Sequence, residues 1–360
     1  MPMSRCNASG DVGANVFQYL TLRRAGPSCC SVWFAAEALA PPTVSSTGKG
    51  SAYTPRMRII AFFALFLFVP LPALAQANTF GGVGTRAEGM GGAFVAVADD
   101  VSAVYWNPAG IATGATFDAQ ISMGRESTFF VGAALPVLGA SFYRTSQAAG
   151  FTTVSVPLDR QNGGSGEVHI GTFTTSNFGA TVVQTIVPAV VIGTTVRGVS
   201  AEVDGADLGT TVDVDAGAIV SVWNLRFGVT GRNLLAPEFE MDGGSVRMTR
   251  QARVGAALAP RSLPTGVHGP FTLALDADLT RTPGPTGELR RAAAGGEYWL
   301  LKGLIGVRGG IRWSTLGTSD TAFSGGFTVR LPHSFHVDGQ LTNGDALEQA
   351  EWNVGARITF

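Results

Sequence analysis

The sequence predicts an all-β fold: a transmembrane antiparallel barrel of about fourteen strands with an amino-terminal segment folded inside it. Three observations predict this. The 360 residues include 48 Gly and are 45% hydrophobic but only 14% charged, against roughly 25% charged and 7% Gly in an average globular chain. Beyond Thr116, apolar residues alternate with polar or small ones at period two, the pattern of a strand with two unlike faces. The connections also alternate between short turns and longer loops, as in a barrel whose two rims face different compartments. A net charge of -1, from 25 basic and 26 acidic residues, leaves no electrostatic footprint for nucleic acid, so such partners are excluded. A chain this apolar and weakly charged is also not a disordered one.

Residues 1–56 show neither periodicity nor a domain-like pattern, and are expected to be an extension outside the native product, which would start at Met57. All three cysteines, Cys6, Cys29 and Cys30, lie in this stretch, so thiol chemistry and disulfides are excluded from the rest. Residues 57–77, MRIIAFFALFLFVPLPALAQA, read as a cleaved secretory signal. Its apolar run is interrupted by Pro70 and Pro72, short of the ~20 residues that a membrane-spanning helix needs.

Residues 78–115 form a glycine-rich stretch expected to be a periplasmic or lumenal hatch. Gly82, Gly84 and Ala87 match G-x-G-x-x-A, but a dinucleotide fingerprint needs a preceding strand in a βαβ unit, and here a signal precedes it. Glycine instead permits close backbone approach, which suits a plug threaded inside a barrel.

Residues 116–360 are the expected barrel, with strands starting near Thr116, Thr128, Leu138, Glu167, Ala189, Thr211, Leu225, Thr249, Pro270, Leu289, Gly303, Asp320, His333 and Gln349. Asp276 and Asp278 alternate with Leu273 and Leu275, and Arg308 and Arg312 with Val307 and Ile311. The last strand sets Trp352, Val354 and Phe360 against Glu351, Asn353 and Arg357. Trp299, Trp313, Trp352 and Phe360 lie near strand ends, where an interfacial girdle belongs. Alternation alone also fits a soluble sandwich, but an even strand count closes a barrel without edges.

The candidate site residues follow from these faces. Asp99 and Asp100 are expected to hold the plug against lumenal arginines, and Asn107-Pro108 to make a turn. The inward arginines Arg226, Arg232, Arg253, Arg308, Arg312, Arg330 and Arg357, with Asp213, Asp215, Asp276, Asp278, Asp338 and Glu351, predict a mixed-sign hydrogen-bonding network. A selectivity filter would instead show a ring of one sign. No G-x-S-x-G elbow is present, and His333 and His336, three apart in a strand, face opposite ways. No enzyme activity, catalytic residue, cofactor or metal is therefore expected.

Three ordered motifs, Gly89-Met90-Gly91-Gly92-Ala93, Asp99-Asp100 and Tyr105-Trp106-Asn107-Pro108-Ala109-Gly110, resemble the hatch of FadL-type outer-membrane transport proteins and their PorV-type relatives. Leu225–Leu234, Gly296–Leu300 and the aromatic terminus are similar to the PorV-type branch, and the resemblance runs from Asn78 to Phe360. It implies fourteen strands with a hatch inside, in the outer membrane of a Gram-negative-type bacterium. Gly89, Gly91, Gly92, Asp99, Asp100, Trp106, Asn107, Pro108 and Ala109 would then gate or anchor the hatch, and Phe360 would be a barrel-assembly signal. The implied partners are outer-membrane lipid, the barrel-assembly machinery, and either a hydrophobic small molecule or a secreted protein. Passive transport of hydrophobic molecules predicts an apolar pocket near Phe94 to Trp106 and a lateral gap in the wall; an accessory that receives or shuttles secreted proteins predicts a filled lumen with an exposed apolar loop surface.

Overall fold

The computed structural model describes residues 81–125, 127–154, 166–241, 244–258, 271–284, 287–317, 320–345, 347 and 350–360. The expected extension, signal and first hatch residues lie outside the described residues. In chain order the strands are β1 (Asp118–Gly124), β2 (Phe129–Leu135), β3 (Leu138–Val154), β4 (Gly166–Val187), β5 (Val190–Val203) and β6 (Ala206–Val222). Next come β7 (Leu225–Arg232), β8 (Glu238–Met241), β9 (Gly244–Arg247), β10 (Gln251–Leu258), β11 (Phe271–Asp278) and β12 (Thr282–Gly284). The last are β13 (Gly287–Leu300), β14 (Ile305–Leu316), β15 (Ala322–Leu331), β16 (Phe335–Gly344) and β17 (Glu351–Thr359).

Fourteen of these strands form a closed antiparallel ring, with each strand paired to its neighbours in sequence and β17 returning to β1. The exceptions are the hairpin β8–β9, inserted between β7 and β10, and the short β12, which pairs with the start of β13. Closure removes every sheet edge, so the backbone hydrogen bonds of the wall are satisfied without water. The seam is completed by Phe117 and Phe360, which exchange backbone bonds of 3.1 and 2.9 Å and stack their rings.

The strand starts agree with the sequence expectation to within two residues, except that β6 begins at Ala206 rather than near Thr211. The turn before it, Asp204-Gly205, has φ of 47° and 84°. Both residues are left-handed, as a two-residue hairpin requires, and Asp-Gly supplies that at low cost.

The wall is apolar outside and polar inside, the reverse of a soluble β protein. Leu273 and Leu275 are exposed while Asp276 is buried; Phe323 and Phe327 are exposed while Thr328 is buried. Trp352 and Val354 face out, with Asn353 and Arg357 inside. Such a continuous apolar exterior is stable against hydrocarbon and would not be stable in water, so the barrel crosses a membrane.

The apolar core lies within the ring and comes mostly from the segment before β1, including Val83, Met90, Phe94, Val104 and Trp106, packed on Phe130, Tyr143 and Ile219 of the wall. A second cluster joins Phe173, Val199 and Val203 of β4 and β5 to Phe239, Val246 and Met248 of the β8–β9 region, so the hairpin caps the tall side of the wall.

Candidate functional site

The segment from Gly81 to Gly114 lies against the inner faces of strands all round the ring. Its regular pieces are short: a helix at Thr85–Gly89, a helical turn at Ala103–Trp106 and a 3-10 turn at Pro108–Thr113. Gly91 and Gly92 have φ of 69° and 79°, which redirects the chain between helix and core in a conformation that other residues rarely adopt. The fit is reciprocal, because wall glycines meet the segment's backbone. Gly193 and Gly217 face Pro108 and Asn107, Gly228 faces Val95, and Gly295 and Gly310 face Met90; a Cβ at any of them would collide.

Asn107 links this segment to the wall. Its Oδ1 accepts the Ala109 amide at 3.2 Å, capping the 3-10 turn, and its Nδ2 donates to Val95 O at 2.9 Å and Ala218 O of β6 at 3.2 Å. Pro108 sits at the start of that turn, where its missing N–H is no loss. Trp106 donates Nε1–H to Val83 O at 2.8 Å, and its ring lies under the Arg253 guanidinium. Asp276 of β11 accepts the amides of Phe94 and Val95, both at 2.8 Å. Thr85 donates its hydroxyl to Asn353 of β17 at 2.7 Å.

The electrostatic centre is Arg86. Its Nε donates to both oxygens of Glu297 at 3.0 and 3.1 Å, Nη2 donates to Glu297 at 2.8 Å, and Nη1 meets Asp99 at 2.5 Å and Asp100 at 3.5 Å. Burial pulls the guanidinium pKa down, but the Asp99, Glu297 and Asp100 carboxylates outweigh it and hold the pKa well above its ordinary value. Arg308 extends the chain of charges from Glu297 at 3.4 Å to Asp338 at 3.0 Å, and Arg357 reaches Asp100 at 3.5 Å.

The acidic pair Asp99-Asp100 therefore meets an arginine of its own segment, Arg86, as well as Arg357 of the wall. Arg86 and Glu297 were missed by sequence reasoning. Arg86 sits in a glycine-rich run and Glu297 beside Tyr298 and Trp299, and only the fold brings them together. Of the other expected lumenal arginines, Arg253 pairs with Asp278 at 2.6 Å and Arg226 donates to Thr113 at 2.8 Å. Arg330 donates Nε–H to His336 at 3.0 Å, at the rim of the short turns. Arg312 lies 3.8 Å from Glu88 and 3.5 Å from Glu351. Arg197 was also missed; it is fully buried among Asn177, Asp213, Asp215 and Asn233. One expected girdle residue is corrected. Trp299 turns inward, donating to Glu297 at 3.2 Å with Arg330 over its ring, and Tyr298 takes the outer face.

Around Phe94 to Trp106 the interior is filled: both rings are fully buried, packed edge to face 6.3 Å apart. An open cavity of about 160 Å³ instead lies at the longer-loop end, opposite Phe360, lined by Gly82 and Glu88 of the segment and by Arg125, Arg291, Arg312, Asp320 and Glu351 of the wall. Its lining is largely polar and charged.

This geometry, a fourteen-stranded antiparallel ring with an amino-terminal segment against its inner faces, is the fold of FadL-type outer-membrane barrels. Among solved structures, the chain is similar to the CymD monoaromatic hydrocarbon channel at TM-score 0.56 and 11% identity, covering 78% of this chain and 98% of that one. It is also similar to the Pseudomonas putida toluene transporter TodX at TM-score 0.52 and 11% identity, over 79% and 98% of the two chains. A Pseudomonas aeruginosa FadL homologue gives TM-score 0.52 and 10% identity, over 77% and 98%. The family model described as "F plasmid transfer operon, TraF, protein" matches residues 183–278. A comparison with curated protein sequences finds no match.

Proposed function

We propose that this chain is an outer-membrane channel for the passive entry of hydrophobic small molecules, in a closed state, with residues 78–115 as its hatch. The carrying observation is how the segment is held. Buried ion pairs and hydrogen bonds fix it to β11, β13 and β17, while its backbone rests on wall glycines. Polar links can exchange partners when the segment shifts. The shared fold with hydrocarbon and toluene channels supports the same reading. Gly89, Gly91, Gly92, Asp99, Asp100, Trp106, Asn107, Pro108 and Ala109 then anchor the hatch, and the lumenal arginines and aspartates form its seat. On this reading the chain is exported by its signal and inserted by the barrel-assembly machinery, with Phe360 as the assembly signal.

The test is uptake of radiolabelled ethylbenzene by Gram-negative cells expressing the protein, beside cells expressing an unrelated barrel. Severalfold faster uptake is expected; equal rates would refute transport of this class. The filled interior around Phe94 and Trp106 favours a second reading, an accessory that receives or shuttles secreted proteins. It predicts a secreted protein that co-purifies with the barrel from its native membrane, together with unchanged ethylbenzene uptake.

A further inference from the structure

We infer that the charged cavity at the longer-loop end of the barrel is a binding site for a small zwitterion, a molecule with a carboxylate and an ammonium a few bonds apart. The site goes beyond the proposed passage of hydrophobic molecules, and binding there requires no transport.

The cavity measures about 160 Å³, room for roughly five waters at about 30 Å³ each, or one small organic solute. Among the described residues, Arg125, Arg291 and Arg312 line it together with the carboxylates of Glu88, Asp320 and Glu351. A hydrocarbon placed here would strip water from several ionised groups and offer nothing in return. A simple anion would face the three carboxylates, and a simple cation the three guanidiniums. A molecule carrying both charges can match the two sets at once.

The internal pairing shows where each charge would go. Arg291 is satisfied, bonding Asp320 at 2.8 Å through Nε and 2.5 Å through Nη2. Arg312 is not. Its Nη1 lies 3.8 Å from Glu88 and its Nη2 3.5 Å from Glu351, both stretched, and its Nε is buried with no hydrogen-bond partner. Glu88 places one oxygen on the Gly82 amide at 2.7 Å, which leaves the other for a ligand. A ligand carboxylate on Arg312 and an ammonium between Glu88 and Glu351 would complete all three. Because Glu88 belongs to the lumenal segment while Arg312 and Glu351 belong to β14 and β17, such a ligand would bridge segment and wall.

The test is isothermal titration calorimetry of the full chain in a non-ionic detergent. Glycine, β-alanine and γ-aminobutyrate vary the charge separation; acetate, ethylammonium, glucose and ethylbenzene serve as probes of single charge or none. At least one zwitterion is expected to bind saturably and at least tenfold more tightly than acetate or ethylammonium. Arg312→Gln is expected to lower that affinity tenfold or more, and Arg281→Gln, in an exposed pair outside the cavity, to leave it unchanged. If Arg312→Gln does not fold, Glu351→Gln takes its place with the same expectation. The proposal is overturned if no zwitterion binds, if a singly charged or neutral probe binds as well, or if the substitution leaves affinity unchanged. Each of these results leaves the ethylbenzene uptake test standing.

Discussion

Two buried arginines with similar surroundings teach different things about this barrel. Arg197 sits on β5 and binds Asn177 of β4, Asp213 and Asp215 of β6, and Asn233 just after β7. All its partners are wall. Arg86 sits on the lumenal segment and binds Glu297 of the wall together with Asp99 and Asp100 of its own segment. The first network stitches neighbouring strands where the wall is tallest; the second fastens a separate piece of chain to that wall. The same chemistry therefore joins strand to strand in one place and the lumenal segment to the wall in the other. Which role applies depends on whether the partners belong to one body or two.

The comparison can be broken by substitution. The largest effect is expected from Arg197→Met, which strands Asp213 without its ion-pair partner and leaves Asp215 only Arg232 at 3.6 Å; losing one partner of a buried pair costs about 3–5 kcal/mol. Urea unfolding in vesicles should show the loss as a lower midpoint, with a fall in the folded band of unheated gels. Arg86→Gln removes a similar set of contacts, yet the barrel should remain folded. The loss should appear as raised ion conductance in planar bilayers, and unchanged conductance would place the closure elsewhere.

A smaller effect is expected from Asn107→Ala, which deletes the cap on Ala109 and the links to Val95 and Ala218. Loss of a cap of this kind costs about 0.5–2 kcal/mol. Protease cleavage within the segment should increase while the barrel strands stay protected. The smallest effect concerns pH. Burial pushes the Glu88 carboxyl above its ordinary value, against the pull of Arg312 and the Gly82 amide. A raised value in the folded state means that this group favours docking fully below the ordinary glutamate range. That contribution fades as pH rises through the folded value. Segment protection should decline over that window, and Glu88→Gln should flatten the decline.

Much of the wall was legible in the sequence. Leu273, Asp276, Arg308, Phe327 and Trp352 face the way their period-two parity predicts, because neighbouring side chains on a strand must point to opposite sides. The departures have local causes. β6 starts at Ala206 because the Asp204-Gly205 turn precedes it, and the β8–β9 hairpin leaves little period-two signal because its strands are only four residues each. Trp299 lies near a strand end, where a girdle residue is expected, but it shares the parity of Glu297 and so points inward.

The glycine-rich motifs lie on the segment that packs against the inner wall, and nothing in them names its partners. By itself the sequence determined the strands, their faces and the glycine-rich composition of the lumenal segment, because these depend on neighbours within a few residues. Only the tertiary structure decided that Arg86 meets Glu297, that Arg197 gathers four polar partners, and that wall glycines stand opposite Met90, Val95 and Asn107. Arg86 and Glu297, for example, stand 211 residues apart. No local pattern encodes these contacts, since strand pairing and ring closure alone set which inward positions share a level of the lumen.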